Sequence, residues 1–173
     1  LFIALTVWSK IDIPMIMMAF AWGGASSPIV GMAIGAGSRE HARRTAWAGA
    51  RVAAVAALFN TVAVLLFAEA LVTAFIPDEA SAIQESVSLL HHVAPVYPFM
   101  AFGICVGFAF NGAGDMARPL YWDVAILLLV QSGLAFLLAD PGLLGMTGFF
   151  VALTVSGVLQ GLVPGWVLAR SRW

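Results

Sequence analysis

Charge is scarce in this sequence. Only 10% of its 173 residues are Asp, Glu, Lys or Arg, and 62% are hydrophobic, whereas a soluble globular domain carries about 25% charged residues. A soluble core could not enclose so much apolar surface. The net charge of -1 gives no general attraction for nucleic acid. The composition therefore predicts a protein of the lipid bilayer with no nucleic-acid partner.

Residues that carry out bond chemistry are also few. The single cysteine, Cys105, excludes an internal disulfide framework and a multi-cysteine metal site. His91 and His92 are adjacent, so on a helix they point about 100° apart and cannot readily share one ion. The serines lack the Gly-x-Ser-x-Gly context of a hydrolase. We therefore expect neither an enzyme nor a bound metal or other cofactor.

The chain does not open with methionine, and its first eight residues are apolar with no basic residue ahead of them. This pattern is not that of a signal peptide. We interpret residues 1–8 as the end of a helix that belongs to a longer protein, followed by a connection at Lys10 and Asp12.

What the sequence has in abundance is long apolar stretches. A helix needs about 20 residues to cross roughly 30 Å of hydrocarbon, and five stretches are long enough. The prediction is an all-α membrane protein with five spans, at residues 13–37, 52–75, 87–110, 120–139 and 143–168.

The connections between these stretches differ in charge. Threading five spans through a bilayer puts seven of the eight Lys and Arg residues on one side and only Lys10 on the other. Basic residues accumulate on the cytoplasmic side of membrane proteins, so we expect that side and the carboxyl terminus to be cytoplasmic. The seven are Arg39, Arg43, Arg44, Arg51, Arg118, Arg170 and Arg172.

Small residues and prolines recur within the stretches. Glycines four residues apart let helix backbones approach closely in lipid, and intramembrane prolines accompany either a structural kink or a transporter cavity. The glycines are Gly31, Gly35, Gly103, Gly107, Gly157, Gly161 and Gly165, and the prolines are Pro28, Pro95, Pro98 and Pro164.

A few polar side chains lie deep in the stretches. Asn60, Gln131 and Gln160 fall near the middles of three different spans, where an unpaired amide would be costly. They either join helices together or line a wet cavity. Glu69 and Asp123 lie inside span boundaries, and each is either a hydrated interfacial carboxylate or a proton carrier.

Two segments carry a more specific pattern. Residues 28–37 read PIVGMAIGAG and are followed by Arg43 and Arg44, and residues 111–119 read NGAGDMARP. Together they resemble the carboxyl-terminal half of the multidrug and toxic compound extrusion (MATE) family. Glycine suits helix ends and tight turns, so the shared residues are structural: Gly31, Gly35, Gly37, Arg43, Arg44, Gly112, Gly114, Asp115 and Pro119.

The resemblance implies a twelve-helix transporter with two six-helix lobes around a central cleft. This chain would be five helices of the carboxyl-terminal lobe, truncated at its start, and its amino-terminal lobe would be missing. Residues 13–37 would line the cleft, and Met15, Met18 and Trp22 belong to a soft, polarizable run suited to varied apolar ligands. Lipid-facing or core packing is the alternative for that run.

The resemblance further implies antiport: export of amphipathic or cationic drugs across the bacterial cytoplasmic (inner) membrane. Met100 stands where sodium-coupled members have an acidic residue, and Met32 stands where many members have glutamine. Protons are therefore the expected coupling ion, and sodium is less favoured. Two alternatives stay open: a flippase for a lipid-linked precursor, and a structural membrane subunit that transports nothing.

Overall fold

The computed structural model describes residues 2–76, 80–138 and 145–171. The described chain is almost entirely helical and includes no strand. Five helices are long and apolar enough to cross a membrane: Thr6–Gly35, Arg39–Leu66, Ser81–Gly112, Ala117–Leu138 and Gly148–Arg170. The prediction of an all-α membrane protein with five spans is confirmed.

The first span differs from the predicted stretch 13–37. Helix α1 runs without a break over Phe2–Gly35, so Lys10 and Asp12 are helical residues and do not form a connection. No glycine or proline interrupts residues 8–12. The long Lys10 side chain carries its ammonium group out of the bundle, 5.1 Å from the centre of the Phe75 ring, which is how lysine accommodates a position on an apolar helix.

The second predicted stretch, 52–75, corresponds to parts of two helices. Helix α2 spans Arg39–Leu66 and α3 spans Ala68–Phe75, with a non-helical Phe67 between them. The arginines predicted in a loop occupy the first turns of α2, because this alanine- and arginine-rich segment has high helix propensity. Helix α3 is followed by Ile76, and residues 77–79, which include Asp78 and Glu79, lie outside the described part of the chain.

The third span changes its winding at its prolines. Helix α4 covers Ala80–Val93, a 3₁₀ turn covers Ala94–Val96, and α5 covers Tyr97–Gly112. Pro98 has no N–H to give to the carbonyl of Ala94. That carbonyl accepts hydrogen bonds from the backbone N–H of Tyr97 and, at 3.2 Å, from the hydroxyl of buried Thr61 on α2. The 3₁₀ turn is thus stabilised by a neighbouring helix, as intramembrane backbone groups require.

The fourth span changes its winding. Helix α6 covers Ala117–Val124, a π-helical segment covers Ala125–Ser132, and α7 covers Gly133–Leu138. Helix α8 covers Gly145–Arg170 and completes the fifth span. Residue 139 and residues 143–144, which end and begin two of the predicted stretches, lie outside the described part of the chain.

Helix α5 lies at the centre and packs against α1, α2 and α8, while the fourth span packs mainly on α8. Close approach depends on glycine. A Cβ on Gly112 would collide with the carbonyl of Ser27 on α1, and a Cβ on Gly103 would collide with the carbonyl of Gln160 on α8. These contacts hold α1 and α8 on opposite sides of α5.

Candidate functional site

Met15, Met18 and Trp22 project from one side of α1, within about 60° of each other at 3.6 residues per turn. Met15 packs against a cluster of residues from α3 and α4. Trp22 is 41% exposed. This side of α1 is therefore partly covered at Met15 and open at Trp22.

Met18 meets one of the mid-span amides. The Asn60 side-chain nitrogen on α2 lies 3.1 Å from the Met18 sulfur and 3.1 Å from the carbonyl of Ala56, one turn earlier on its own helix. Both Met18 and Asn60 are half-buried. The structure thus brings these two candidates together, in a polar contact between α1 and α2.

The other two amides lie elsewhere. Gln131 belongs to the π-helical segment and Gln160 to α8, and both are half-buried. The π-helical segment packs against α8 but not extensively against α2. Asn60, Gln131 and Gln160 therefore do not form one cluster around a common point.

The two carboxylates considered as proton carriers lie at exposed positions. Glu69 is in the first turn of α3, where its backbone carbonyl accepts a 2.7 Å hydrogen bond from the Thr73 hydroxyl. Asp123 is near the end of α6, before the π-helical segment. Both are exposed in the described chain, and they lie on helices that do not pack extensively together.

The glycine-rich motifs gather at one end of the bundle, which we call the Arg-rich end. Gly37 and Gly114 have positive φ values of 73° and 82°, a backbone conformation that favours glycine. A Cβ on Gly31 would lie 2.9 Å from the carbonyl of Gly112, whereas one on Gly35 would meet nothing within 4 Å. The first motif is thus in direct contact with the second.

Charged side chains form hydrogen bonds and ion pairs at the same end. Arg43 donates a 3.2 Å hydrogen bond to the carbonyl of Ala169 on α8, and Arg44 pairs with Glu40 at 2.8 Å. Asp115 accepts from the backbone N–H of Arg118 at 3.3 Å and pairs with its guanidinium group at 2.9 Å, while Pro119 is buried. The motif residues therefore connect and terminate helices.

A further carboxylate lies inside the bundle. Asp12, on α1, interacts electrostatically with the hydroxyl of Tyr97 at the start of α5. The same hydroxyl oxygen accepts a 3.2 Å hydrogen bond from the indole nitrogen of Trp8, one turn before Asp12. Tyr97 is only 3% exposed. This is a connected polar group within two membrane spans, and it was not among the candidates predicted from sequence.

A family model described as MatE matches residues 4–137, which is well over half of the chain. The chain belongs to the MatE family. Comparison with curated proteins and with solved structures returned no significant match.

The MatE match extends from α1 to α7 and includes both glycine-rich motifs and the Asp12 group. Members of this family are transporters, so the chain is assigned to a multi-pass membrane transporter. The resemblance inferred from the two motifs is confirmed. Helix α8 lies beyond the matched residues and is tied to them through its packing on α5.

This MatE chain also has an apolar groove of about 430 Å³ between α2, α5 and α8, with Trp47, Phe99, Phe102 and Trp166 among its lining residues. None of the six residues predicted to line the cleft contributes to it. The neighbouring faces of α2 and α8 expose large apolar side chains such as Phe59 and Leu162. We infer that the groove belongs to the bilayer-facing surface.

The sequence contained a signal for the Asp12 group. If residues 2–35 are read as one span, Asp12 becomes an intramembrane carboxylate, which is by itself a candidate functional residue. Trp8 and Asp12 are four residues apart and so share a helix face. Because Lys10 and Asp12 are interpreted as a connection from sequence, Asp12 is not counted there among the intramembrane carboxylates.

Proposed function

We propose that residues 1–173 contribute five helices of the carboxyl-terminal lobe of a two-lobe MatE antiporter that exports amphipathic, often cationic compounds in exchange for protons. The protein would reside in the bacterial cytoplasmic membrane, and a second lobe with the same architecture would complete the central cleft. The membrane-spanning fold and the family match support transport.

One observation carries the choice of substrate class. The side of α1 that faces away from the bundle exposes methionine and aromatic side chains: Met17 is 56% exposed, Met32 is 67% exposed, and Phe20 is 44% exposed. Methionine and aromatic rings adapt to apolar ligands of different shapes, and aromatic faces attract cations. We propose that this side of α1 borders the cleft between the lobes.

Met18 and Trp22 lie on a different side of α1 from Met17, and we propose that, together with Asn60 on α2, they contact substrate where α1 meets α2. The contact between the Asn60 amide and the Met18 sulfur supports a shared role because it joins a polar group and a polarizable one at one place. We propose that Met15, nearer the start of α1, contributes an apolar side chain to the cleft wall. Gln131 and Gln160 would line the cleft from the fourth and fifth spans.

The two alternatives predict different surroundings. A flippase for a lipid-linked precursor needs basic side chains along its cleft to hold an anionic headgroup. The described basic residues lie at the Arg-rich end or, for Lys10, against Phe75, which favours export of cations. A structural subunit would keep Asn60 sealed between α1 and α2 in every state of the protein.

Cysteine accessibility at Asn60 tests the cleft. In the full-length protein with Cys105→Ala, we expect Asn60→Cys to react with a water-soluble thiol reagent and ethidium to slow the reaction. Ala57→Cys is the matched control, since Ala57 lies one turn away on α2 and is 2% exposed. Asn60→Cys reacting as slowly as Ala57→Cys would favour a purely structural contact.

Orientation gives a second prediction. Because arginine accumulates on the cytoplasmic side, we propose that the Arg-rich end and the carboxyl terminus are cytoplasmic. In intact cells, an impermeant thiol reagent should label Ser81→Cys, at the opposite end, and should label Ser38→Cys only after permeabilisation. Both serines are exposed. The reverse labelling pattern would overturn this topology.

A further inference from the structure

The apolar groove between α2, α5 and α8 opens close to the Arg-rich end of the bundle. Trp47 on α2 and Trp166 on α8 both line it, and Arg43 joins the ends of these two helices through its hydrogen bond to the Ala169 carbonyl. From Trp47 the groove continues along α2 to Ala54, which is about 10 Å at 1.5 Å per residue. The groove therefore extends from the Arg-rich end into the apolar part of the spans.

The wall that α8 contributes to the groove includes two glycines, Gly161 and Gly165. A Cβ on Gly165 would lie 3.1 Å from the Phe102 ring, and a Cβ on Gly161 would lie 2.7 Å from the backbone carbonyl oxygen of Phe99. Both glycines are thus close to α5, and they leave the space beside Trp166 unfilled. The described residues that line the groove are all apolar or aromatic. Such a surface fits a flexible hydrocarbon chain.

A basic depression adjoins the groove and shares Trp47 with it. The depression has a volume of about 560 Å³, and one glutamate and three arginines line it: Glu40, Arg43, Arg44 and Arg51. Glu40 pairs with Arg44 at 2.8 Å, while Arg43 bonds to an uncharged carbonyl. Within the described chain, the charges of Arg43 and Arg51 are therefore not paired with a carboxylate.

Two arginines lie over the two tryptophans of the groove. The guanidinium carbon of Arg51 is 5.4 Å from the centre of the Trp47 ring, and that of Arg170 is 4.1 Å from the centre of the Trp166 ring. Both arginines are exposed, and neither forms an ion pair with another described residue. Contact with a ring face uses none of the guanidinium N–H donors. These donors thus lie at the open end of an apolar groove, available to an external acceptor.

We propose that the groove and the basic depression together bind an anionic phospholipid, with an acyl chain in the groove and the phosphate at Arg51 and Arg170. Phosphate oxygens accept several guanidinium N–H groups at once. Basic pockets between transmembrane helices bind anionic headgroups near the membrane surface, and tryptophan is enriched at that depth. The assignment to the cytoplasmic leaflet rests on the orientation proposed above, whereas the binding site itself does not.

Other occupants match this chemistry less well. A cationic substrate would be repelled by the arginines at the entrance, so the groove is not its route from the bilayer. In a symmetric dimer this face would meet itself and bring unpaired arginines together. A free phosphate ion would leave the aromatic groove empty. A phospholipid supplies both the negative charge and the hydrocarbon chain.

Native mass spectrometry of the full-length protein tests the headgroup preference. Delipidated protein in detergent is mixed with dioleoyl phosphatidylglycerol or with dioleoyl phosphatidylcholine, which has the same acyl chains and no net charge. We expect phosphatidylglycerol to bind at least about fivefold more tightly, since one arginine near the membrane surface contributes about 1 kcal/mol to binding an anionic lipid. Equal binding of the two lipids would overturn the proposal.

Substitution of the two stacked arginines locates the phosphate. Arg51→Gln and Arg170→Gln should each weaken phosphatidylglycerol binding about fivefold and leave phosphatidylcholine binding unchanged. Arg39→Gln is the matched control, since Arg39 is exposed at the same end of the bundle and lines neither the groove nor the depression. An equal loss in Arg39→Gln, or wild-type binding in both test variants, would overturn this site.

Filling the groove tests the place of the acyl chain. Ala54→Trp should weaken phosphatidylglycerol binding, because the indole would occupy the groove. Val55→Trp is the matched control, since Val55 is 53% exposed and does not line the groove. Glycerol phosphate, which has no acyl chain, should not displace the lipid from the wild type. Wild-type binding by Ala54→Trp, or displacement by glycerol phosphate, would overturn the role of the groove. The arginine variants change only exposed side chains, so they test the same lipid without altering helix packing.

Discussion

Replacing Gly103 with alanine should prevent α5 and α8 from packing together. The added Cβ falls on the backbone carbonyl of Gln160, which cannot rotate away as a side-chain end can, so the two helices must separate. Overpacking of this kind costs about 1–3 kcal/mol and sometimes more, and we expect the upper end because the clash is with backbone. The full-length variant should show a clearly lower unfolding temperature in detergent and a reduced yield of monodisperse protein.

Gly24→Ala is the matched control for this change. Gly24 is also a helical glycine within a span, but it is exposed and a Cβ there meets nothing within 4 Å. Alanine is favoured over glycine in helices by about 1 kcal/mol, so this variant should be as stable as the wild type or slightly more stable. Equal unfolding temperatures for the two variants would contradict the close contact between α5 and α8.

The number and approximate positions of the spans followed from composition alone. An apolar stretch of about 20 residues is a strong indication of a membrane-spanning helix, because its length matches the hydrocarbon layer and a helix satisfies its own backbone hydrogen bonds there. The glycine-rich motifs also pointed to helix ends, and the positive φ values fall at Gly37 and Gly114. Both features depend on local sequence, which is why one sequence was enough.

Helix boundaries near charges were not predictable in the same way. Lys10, Asp12 and the arginines of α2 were read as connections because charges are rare within spans. The side chains are long or partnered, however, and Lys10 and Arg43 reach Phe75 and the Ala169 carbonyl without leaving their helices. A helix can therefore continue through charges when their side chains extend toward water or a partner.

Contacts between distant residues were beyond sequence patterns altogether. The meeting of Met18 with Asn60, and of Asp12 with Tyr97, depends on how α1 lies against α2 and α5. In the π-helical residues 125–132 each backbone hydrogen bond joins residues five apart, whereas in an α-helix it joins residues four apart. The apolar composition of this segment does not predict that difference. The facing of the candidate site residues had to come from the structure.

Sodium should not replace the proton as the driving ion in this lobe. Sodium is a hard ion and needs several oxygen ligands. At the position where the family resemblance places a carboxylate in sodium-coupled members, the Met100 side chain carries a thioether, a poor ligand for hard ions, and it packs toward Gly157 on α8. Around Asp12, Tyr97 offers a single hydroxyl and Trp8 offers a donor. We therefore expect export to be independent of sodium.

The most direct measurement is ethidium transport by the full-length protein in liposomes under an imposed pH gradient, with sodium replaced completely by potassium. Liposomes without protein give the background. The account predicts that transport continues in potassium and falls to background when an ionophore that exchanges potassium for protons dissipates the gradient. Transport that stops in sodium-free buffer while the pH gradient is intact would contradict proton-driven export.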